Sequence, residues 1–250
     1  MWKLINLCLI LVCNLAMFVQ FTFAANEKLS FAVPESLDIK VDYTAYCLFE
    51  TTINNMGYQL NHVKLPLMRT LTETQRGNIA LILIAKLNFK TDVKSKTIPQ
   101  GIALAATPYL ITAISFYSQK HSNIMMDKAD WQASYRFGVV RSTFTHDTKK
   151  LDANRESNNY YFYVNSLSAF KALLRQRVDI VVTSELEYLS AQAILTFDDK
   201  IKNIVSLGTT SLYPGFSHLY FGEENAKALA KRYDTESAQL ADLSRKQCTR

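Results

Sequence analysis

The sequence predicts an α/β protein with largely parallel sheets, built as two lobes. A chain of 250 residues, 48% of them hydrophobic, is long enough for one large core or for two lobes of roughly 100 residues each. Short apolar strands alternate with amphipathic helices, which is the order expected when helices cover a parallel sheet. Because this alternation occurs twice along the chain, we expect two lobes.

The first series of elements lies in the N-terminal third of the chain. Between Ala45 and Met56, apolar and small residues recur every three or four positions, which predicts a helix. Gly57 is the residue type that ends such a helix. The other elements of this series are strands at Leu29–Val33, Tyr58–Leu65 and Ile79–Ile84 and a helix at Leu67–Arg76.

The second series has the same order. Ser166 is a typical helix N-cap, and it precedes a helix that carries Leu167, Phe170 and Leu173. The other elements are strands at Phe137–Val140, Tyr160–Val164 and Val178–Val182 and helices at Thr145–Arg155 and Glu185–Leu195. Outside the two series, we expect strands at Ile111–Tyr117 and Ser217–Phe221 and a helical C-terminus that bears Leu229, Tyr233, Leu240 and Leu243.

Residues 1–24 have the pattern of a secretory signal peptide. Lys3 is followed by an uncharged, mostly apolar stretch to Phe23, and small residues surround the bond after Ala24. We therefore expect cleavage after Ala24 and a periplasmic mature protein. An uncleaved membrane anchor is the alternative, because about 20 apolar residues can span a bilayer.

Two cysteines, Cys47 and Cys248, follow the expected cleavage site. An oxidising compartment permits a disulfide between them, which would fasten the C-terminal tail to an early helix. Two independent thiols are the alternative, since the sequence does not show whether the two residues are close in space.

Several kinds of chemistry lack their motifs. No glycine-rich phosphate loop is present, and the four histidines have no metal-binding spacing. The segment around Ser217 lacks the second glycine of a nucleophile elbow. We therefore expect no cofactor, no metal site and no enzymatic activity. The net charge of +6 is spread along the chain, so a nucleic-acid partner is not expected either.

Five short segments resemble a known family by their order and spacing. They include a proline followed three residues later by arginine and a small-Pro-Tyr element before the middle strand, and they are Leu65–Arg69, Arg76–Ala80, Thr107–Tyr109, Phe137–Thr143 and Arg175–Val182. Together they are similar to extracellular solute-binding proteins of family 3, the amino-acid-binding periplasmic receptors that serve ABC importers. The chain departs from this family where Asn88–Asp92 lacks the arginine that clamps a ligand carboxylate, and where Thr183, Ser184 and Glu185 replace the usual aspartate.

The resemblance implies a type II periplasmic-binding-protein-like fold with a ligand cleft between the lobes. Lobe I would comprise residues 25–115 and 218–250, and lobe II residues 116–217. A monomer would capture a small polar solute, such as an amino acid, by hinge closure and present it to an ABC permease. The expected ligand-binding residues are Arg69, Lys86 and Asn88 on lobe I and Arg141, Ser142, Thr143, Ser184 and Glu185 on lobe II.

Other interpretations remain open for these residues. Arg69 and Lys86 are also typical of solvated positions, Ser142 or Thr143 of a helix cap, and Glu185 of a first-turn acid. Two other functions compete with solute capture. One is a dehydratase-like periplasmic enzyme with Glu185 or His146 as general base, and the other is a ligand sensor that signals to a membrane partner.

Overall fold

The computed structural model describes residues 27–35, 37–89, 99–126, 131–140, 159–197, 199–243 and 248. The expected signal peptide, its cleavage site and the expected helix at Thr145–Arg155 lie outside these residues. Among the residues described, no helix has both the length and the apolar character needed to cross a membrane.

Nine strands and six helices make up the described part of the chain. The strands are β1 (Glu27–Pro34), β2 (Tyr58–Leu65), β3 (Leu81–Phe89), β4 (Ile102–Leu104), β5 (Leu110–Gln119), β6 (Phe137–Val140), β7 (Tyr160–Tyr163), β8 (Ile180–Ser184) and β9 (Ile201–Ser217). The helices are α1 (Tyr43–Asn55), α2 (Leu67–Gln75), α3 (Ser166–Leu174), α4 (Glu185–Leu195), α5 (His218–Phe221) and α6 (Glu223–Leu243), with a 3-10 helix at Trp131–Ser134.

All nine strands belong to one sheet. Its order is β2-β1-β3-β9-β5-β8-β6-β7, with β4 paired to β9. Strand β1 is parallel to β2 and β3, and β6 is parallel to β7 and β8. Strands β5 and β9 are antiparallel to each other and to β8 and β3, respectively. Two parallel groups are thus joined by one antiparallel pair.

The side chains pack around separate cores in the two parallel groups. In the first group, α1 and α6 cover the sheet, and Phe31, Phe49 and Tyr233 are buried together. In the second, neighbouring residues of β8 point to opposite faces, so Val181 packs with α3 while Val182 packs against Phe137. The two-lobe α/β fold expected from the sequence is therefore confirmed.

The strand β9 was not predicted. It runs for 17 residues and contains Gly208, Pro214 and Gly215, which are residue types that usually mark turns. At Gly215 a Cβ atom would lie 2.8 Å from Cγ2 of Ile102, so glycine allows β4 to approach β9 closely.

The expected strand at Ser217–Phe221 is wrong. Strand β9 ends at Ser217, and α5 begins directly after it. The Ser217 hydroxyl caps this helix by accepting a hydrogen bond from the N–H of Tyr220 at 3.2 Å. The apolar residues Leu219 and Phe221 suggested alternation, but a serine that caps a helical turn decided the backbone conformation.

Three connections fasten distant parts of the chain. Cys47 in α1 and Cys248 form a disulfide across 201 residues, with 5.7 Å between their Cα atoms. The Asp234 carboxylate in α6 accepts hydrogen bonds from the N–H groups of Ala106, at 2.9 Å, and Thr107, at 2.7 Å, directly before β5. The C-terminal helix is thereby fixed to the segment that precedes β5.

The third connection is an ion pair at the start of β6. Arg136 donates to Asp179 from its backbone N–H, from Nε and from a terminal guanidinium nitrogen, at 2.8, 3.0 and 2.8 Å. These hydrogen bonds lower the pKa of the Asp179 carboxyl below its usual range. The pair joins the N-terminal ends of β6 and β8.

We expect the disulfide to stabilise the fold against unfolding. Replacing both cysteines by serine, Cys47→Ser with Cys248→Ser, should lower the free energy of unfolding by about 2–5 kcal/mol, because the unfolded chain regains the freedom that the cross-link removed. Denaturant titration measures this, and the wild type with its disulfide reduced should match the double variant. An unchanged midpoint would contradict the expectation.

The Arg136–Asp179 pair should stabilise the fold in a pH-dependent way. Because folding lowers the pKa of Asp179, its contribution is present above the unfolded carboxyl pKa, near 4, and is lost as the pH falls through the folded value. Both side chains are partly exposed, so we expect Asp179→Asn to cost about 1 kcal/mol at pH 7 and progressively less as the pH falls below the unfolded carboxyl pKa.

The control for this experiment is Asp199→Asn. Asp199 forms an ion pair with Lys120 at 3.4 Å, but its side chain is 97% exposed. Urea unfolding of this variant should give the wild-type stability at pH 7 and at the lower pH values. Equal effects of the two substitutions would show that the geometry of the Arg136 pair adds nothing.

Candidate functional site

The carboxyl ends of the parallel strands in the two lobes face one another. Strand β8 runs toward the first lobe, since its last residue, Ser184, pairs with Ile114 in the middle of β5. Strand β3 runs the opposite way, and its last residue, Phe89, pairs with Gly208 in the middle of β9. Ligands of parallel α/β sheets bind beyond such strand ends. The candidate site is therefore the cleft between the lobes.

On the second lobe, the first turn of α4 carries a buried hydrogen-bonded carboxylate. Ser184 is the N-cap, and its hydroxyl accepts from the N–H of Glu187 at 3.3 Å. The Glu187 carboxylate accepts from the hydroxyls of Thr183 and Ser184. All three residues are buried. The Glu187 carboxyl group is thus held at the end of β8 by two hydroxyl donors, in the first turn of a helix.

The two strands that connect the lobes, β5 and β9, are called the hinge strands below, and they carry further buried hydroxyls. Thr112 on β5 lies opposite Thr210 on β9, and Ser211 follows Thr210. Thr112 accepts a hydrogen bond from the backbone N–H of Leu186 at 3.2 Å. This bond connects the first turn of α4 to the strand that crosses between the lobes.

On the first lobe, the loop after β1 reaches across the cleft. The backbone N–H of Asp38 donates to the hydroxyl of Ser190 in α4 at 3.0 Å. On the other side of the same loop, the hydroxyl of Tyr109 donates to the carbonyl of Ile39 at 2.7 Å. The loop is therefore held by one partner in each lobe.

A cluster of polar side chains lies between α1 and β2. The Tyr46 hydroxyl lies 2.9 Å from a carboxylate oxygen of Glu50 and 2.9 Å from Nε2 of His62. Desolvation, followed by the charge of Lys40, lowers the pKa of His62 below its usual value. Neutral imidazole is therefore the favoured form at neutral pH.

The predicted lobe I residues have different positions. Arg69 lies in the first turn of α2, next to the carboxyl end of β2; its side chain is exposed and forms no ion pair within the described residues. Lys86 and Asn88 lie in β3, where their backbones pair with Ser211 and Thr209. All three positions are near the expected cleft, but whether they bind a ligand remains a prediction.

The predicted lobe II residues divide into two groups. Arg141, Ser142 and Thr143 follow β6 and lie outside the described residues, as does His146. Ser184 is the N-cap of α4, and Glu185 is its exposed first residue. The structure gives Ser184 the capping role and leaves a ligand role for either residue as a prediction.

Sequence reasoning missed four residues that meet at the cleft: Asp38, Thr112, Glu187 and Ser190. The spacing of Ser184 and Glu187 is that of a capping box, and this signal could have identified Glu187. Asp38, Thr112 and Ser190 gave no comparable signal, because their partners are 74 to 152 residues distant in the sequence.

A surface cavity of about 400 Å³ lies at the opposite end of lobe II, where β5 ends. It is lined by Gln119, Lys120, His121, Leu174, Asp199 and Lys200. Since the carboxyl ends of β6 and β8 point away from it, this cavity is separate from the cleft.

Comparison with known proteins supports the assignment of the fold. No family model and no curated protein matches the sequence. Among solved structures, an ancestral arginine-binding protein bound to arginine is 13% identical, with a TM-score of 0.65, over 90% of this chain and 97% of that one. The fold is that of the periplasmic binding proteins.

Two further structures give the same result. A histidine-bound substrate-binding protein of an ABC uptake transporter from Streptococcus pneumoniae has a TM-score of 0.64 at 13% identity, over 90% of this chain and 91% of that one. A histidine kinase sensor domain with similarity to periplasmic binding proteins has a TM-score of 0.64 at 10% identity, over 89% and 94%. Receptors for transport and sensors thus share this binding-protein fold.

We expect Ser184→Ala to destabilise the protein by about 1 kcal/mol, because α4 loses its N-cap and Glu187 loses a donor. The matched control is Ser166→Ala. Ser166 is also a fully buried serine at a helix start in lobe II, but Asn165 is the N-cap there instead of the expected Ser166, whose hydroxyl has no partner among the described residues. Thermal unfolding should show a decrease for the first variant alone. A similar decrease in both would contradict the capping role.

Proposed function

We propose that the protein is a periplasmic solute-binding protein of the family 3 type, which captures an amino acid or a related small polar solute between its lobes and delivers it to an ABC importer. The observation that carries this proposal is the opposition of the strand ends across the β5–β9 hinge. Such strand ends and helix starts provide hydrogen-bond donors for a polar ligand.

Closure would occur by bending of the two strands that connect the lobes. The β5–β9 register shifts between Ile114 and Ser115 and again between Phe116 and Tyr117. Bulges of this kind interrupt a ladder and allow a local bend. A ligand that contacts both lobes only when they are closed would shift the equilibrium toward the closed state.

The polar groups of the cleft suit a ligand with charges of both signs. The exposed guanidinium of Arg69 can form a bidentate pair with an anionic group. Lys86, Asn88, Arg141, Ser142 and Thr143 are proposed as further ligand-binding residues beside it. Across the cleft, Glu187 is a buried acidic residue and Glu185 is an exposed acidic residue. Ser184 lies where β8 meets α4.

We further propose the lobe division expected from the sequence, with residues 25–115 and 218–250 in lobe I and 116–217 in lobe II. Separate cores and the packing of α6 against α1 support it. Phe216 packs in the first core and Ile201 in the second, so the return to lobe I lies within β9, a few residues before the expected boundary at 217/218. A monomer exported by the expected signal peptide completes the proposal.

A sensor is the second candidate, and the similarity to a histidine kinase sensor domain favours it. Solute capture is common to both candidates, and they differ in the membrane partner. The dehydratase-like alternative receives no comparable support, because the solved structures named above are binding proteins or sensors.

A thermal-shift panel tests solute capture. It should contain arginine, histidine, glutamate, neutral amino acids, putrescine and small dicarboxylates. A ligand at 100 times its Kd adds about 2.7 kcal/mol to the stability, which raises the Tm by several degrees. A panel without any rise in Tm would count against capture of an amino acid or a related solute.

The variant Arg69→Ala should then weaken binding of the compound that gave the rise by at least about tenfold, since a charge-assisted pair is lost. Arg175→Ala is the control, because Arg175 is also exposed but follows α3 at the far end of lobe II. Isothermal titration gives both affinities. Equal affinities for the two variants would remove Arg69 from the site.

A further inference from the structure

We propose that Ser190 is an interlobe positioning residue, whose hydrogen bond with the backbone N–H of Asp38 holds the two lobes in the closed arrangement. This bond is called the interlobe latch below. The inference rests on the two-lobe closure in the proposed function, but it concerns groups of the protein alone.

The latch joins elements of different lobes directly. Asp38 belongs to the loop after β1, whose Ile39 is buried in the first core, and Ser190 lies in α4, whose Ala191 is buried in the second. The distance from the Asp38 nitrogen to Ser190 Oγ is 3.0 Å. The bond therefore breaks when the lobes separate, and no ligand atom takes part in it.

Burial makes this single bond effective. Ser190 is completely buried, so water does not compete for its hydroxyl in the closed form. The hydroxyl donates to the Leu186 carbonyl of its own helix at 2.7 Å, and its oxygen accepts from the Asp38 N–H. The Asp38 carbonyl, 3.4 Å from the same hydroxyl oxygen, is a second and longer acceptor. The helix thus fixes the acceptor before the lobes meet.

The donor is also fixed in advance. The Asp38 carboxylate accepts from the N–H of Lys40 at 3.0 Å, and the Asp38 carbonyl accepts from Val41 at 3.3 Å. Tyr109, which is 93% buried, donates a hydrogen bond from its hydroxyl to the carbonyl of Ile39. Because donor and acceptor need no rearrangement, closure loses little conformational entropy at this contact.

Two consequences follow for binding. The closed form is populated before a solute binds, and the apparent affinity depends on the closed fraction, since the apparent Kd is the intrinsic Kd divided by that fraction. Loss of one net hydrogen bond should lower the ratio of closed to open molecules about fivefold. Ser190 would therefore tune affinity without contacting the solute.

The test measures the distance between the lobes in the protein without added solute. Spin labels are placed at Lys64→Cys, near the end of β2, and at Val164→Cys, directly after β7; both positions are exposed. Cys8 and Cys13 lie in the expected signal peptide and are absent from the mature protein, and the Cys47–Cys248 disulfide is kept. Double electron–electron resonance then gives the closed and open populations.

We expect a predominantly short distance in the labelled wild type. With Ser190→Ala, the ratio of short-distance to long-distance molecules should fall about fivefold. Ser166→Ala is the matched control, because this serine is equally buried in another helix of lobe II and its hydroxyl has no partner in the part of the chain that the structure describes. Its distance distribution should equal that of the wild type. Equal distributions for all three proteins, or equal shifts in both variants, would overturn the proposal.

A second variant makes the result independent of the stability of α4. Tyr109→Phe releases the Ile39 carbonyl on the lobe I side and should shift the distance in the same direction. Added to Ser190→Ala, it should have little further effect, because both act through the same latch. Fully additive shifts would overturn the proposal. If no compound raises the Tm but these shifts are found, the proposed ligand class fails and the latch stands.

Discussion

The antiparallel pairing of β5 with β9 sets the relative direction of all the other strands. It extends from Leu110 opposite Leu212 to Gln119 opposite Ile201 and passes through both lobes. Strand β3 adds to one side of this pair and β8 to the other, in opposite directions. The other parallel strands of each lobe run in the same direction as β3 or β8. The pairing therefore directs the carboxyl ends of both groups toward a common cleft.

Hydroxyl groups satisfy the polar demands of this cleft. The hydroxyls of Thr112 and Ser184 accept hydrogen bonds from backbone N–H groups of α4, and the Ser190 hydroxyl donates to a backbone carbonyl of the same helix. A hydroxyl both donates and accepts, so one small side chain can satisfy two partners in a buried site. Among the described residues, hydroxyls therefore make these contacts between the lobes instead of a buried ion pair, whose desolvation would oppose repeated opening and closing.

The ends of the chain strengthen the first lobe where it faces the hinge. Helix α6 packs against α1, and the disulfide ties Cys248 to the same helix. Asp234 holds the backbone before β5, and Tyr109, directly before β5, holds the loop after β1. The cleft loop and the hinge strand thus share one rigid support.

Most local elements and the two-lobe class can be predicted from the amino-acid sequence. The boundaries of β2, β6 and α4 agree with the predicted ones, because hydrophobic period and capping residues act over a few positions. The predicted start of β8 at Val178 was two residues early, since Asp179 is fixed by Arg136 instead of by the sheet ladder.

Strand β9 and the contacts across the cleft depend on long-range pairing. Gly208, Pro214 and Gly215 argue locally against a strand, and pairing with β3, β4 and β5 overrides that preference. The latch joins residues 152 positions apart, and Thr112 meets Leu186 across 74. Hydrophobic period and capping signals act within a few residues, whereas these bonds depend on where the hinge places each lobe.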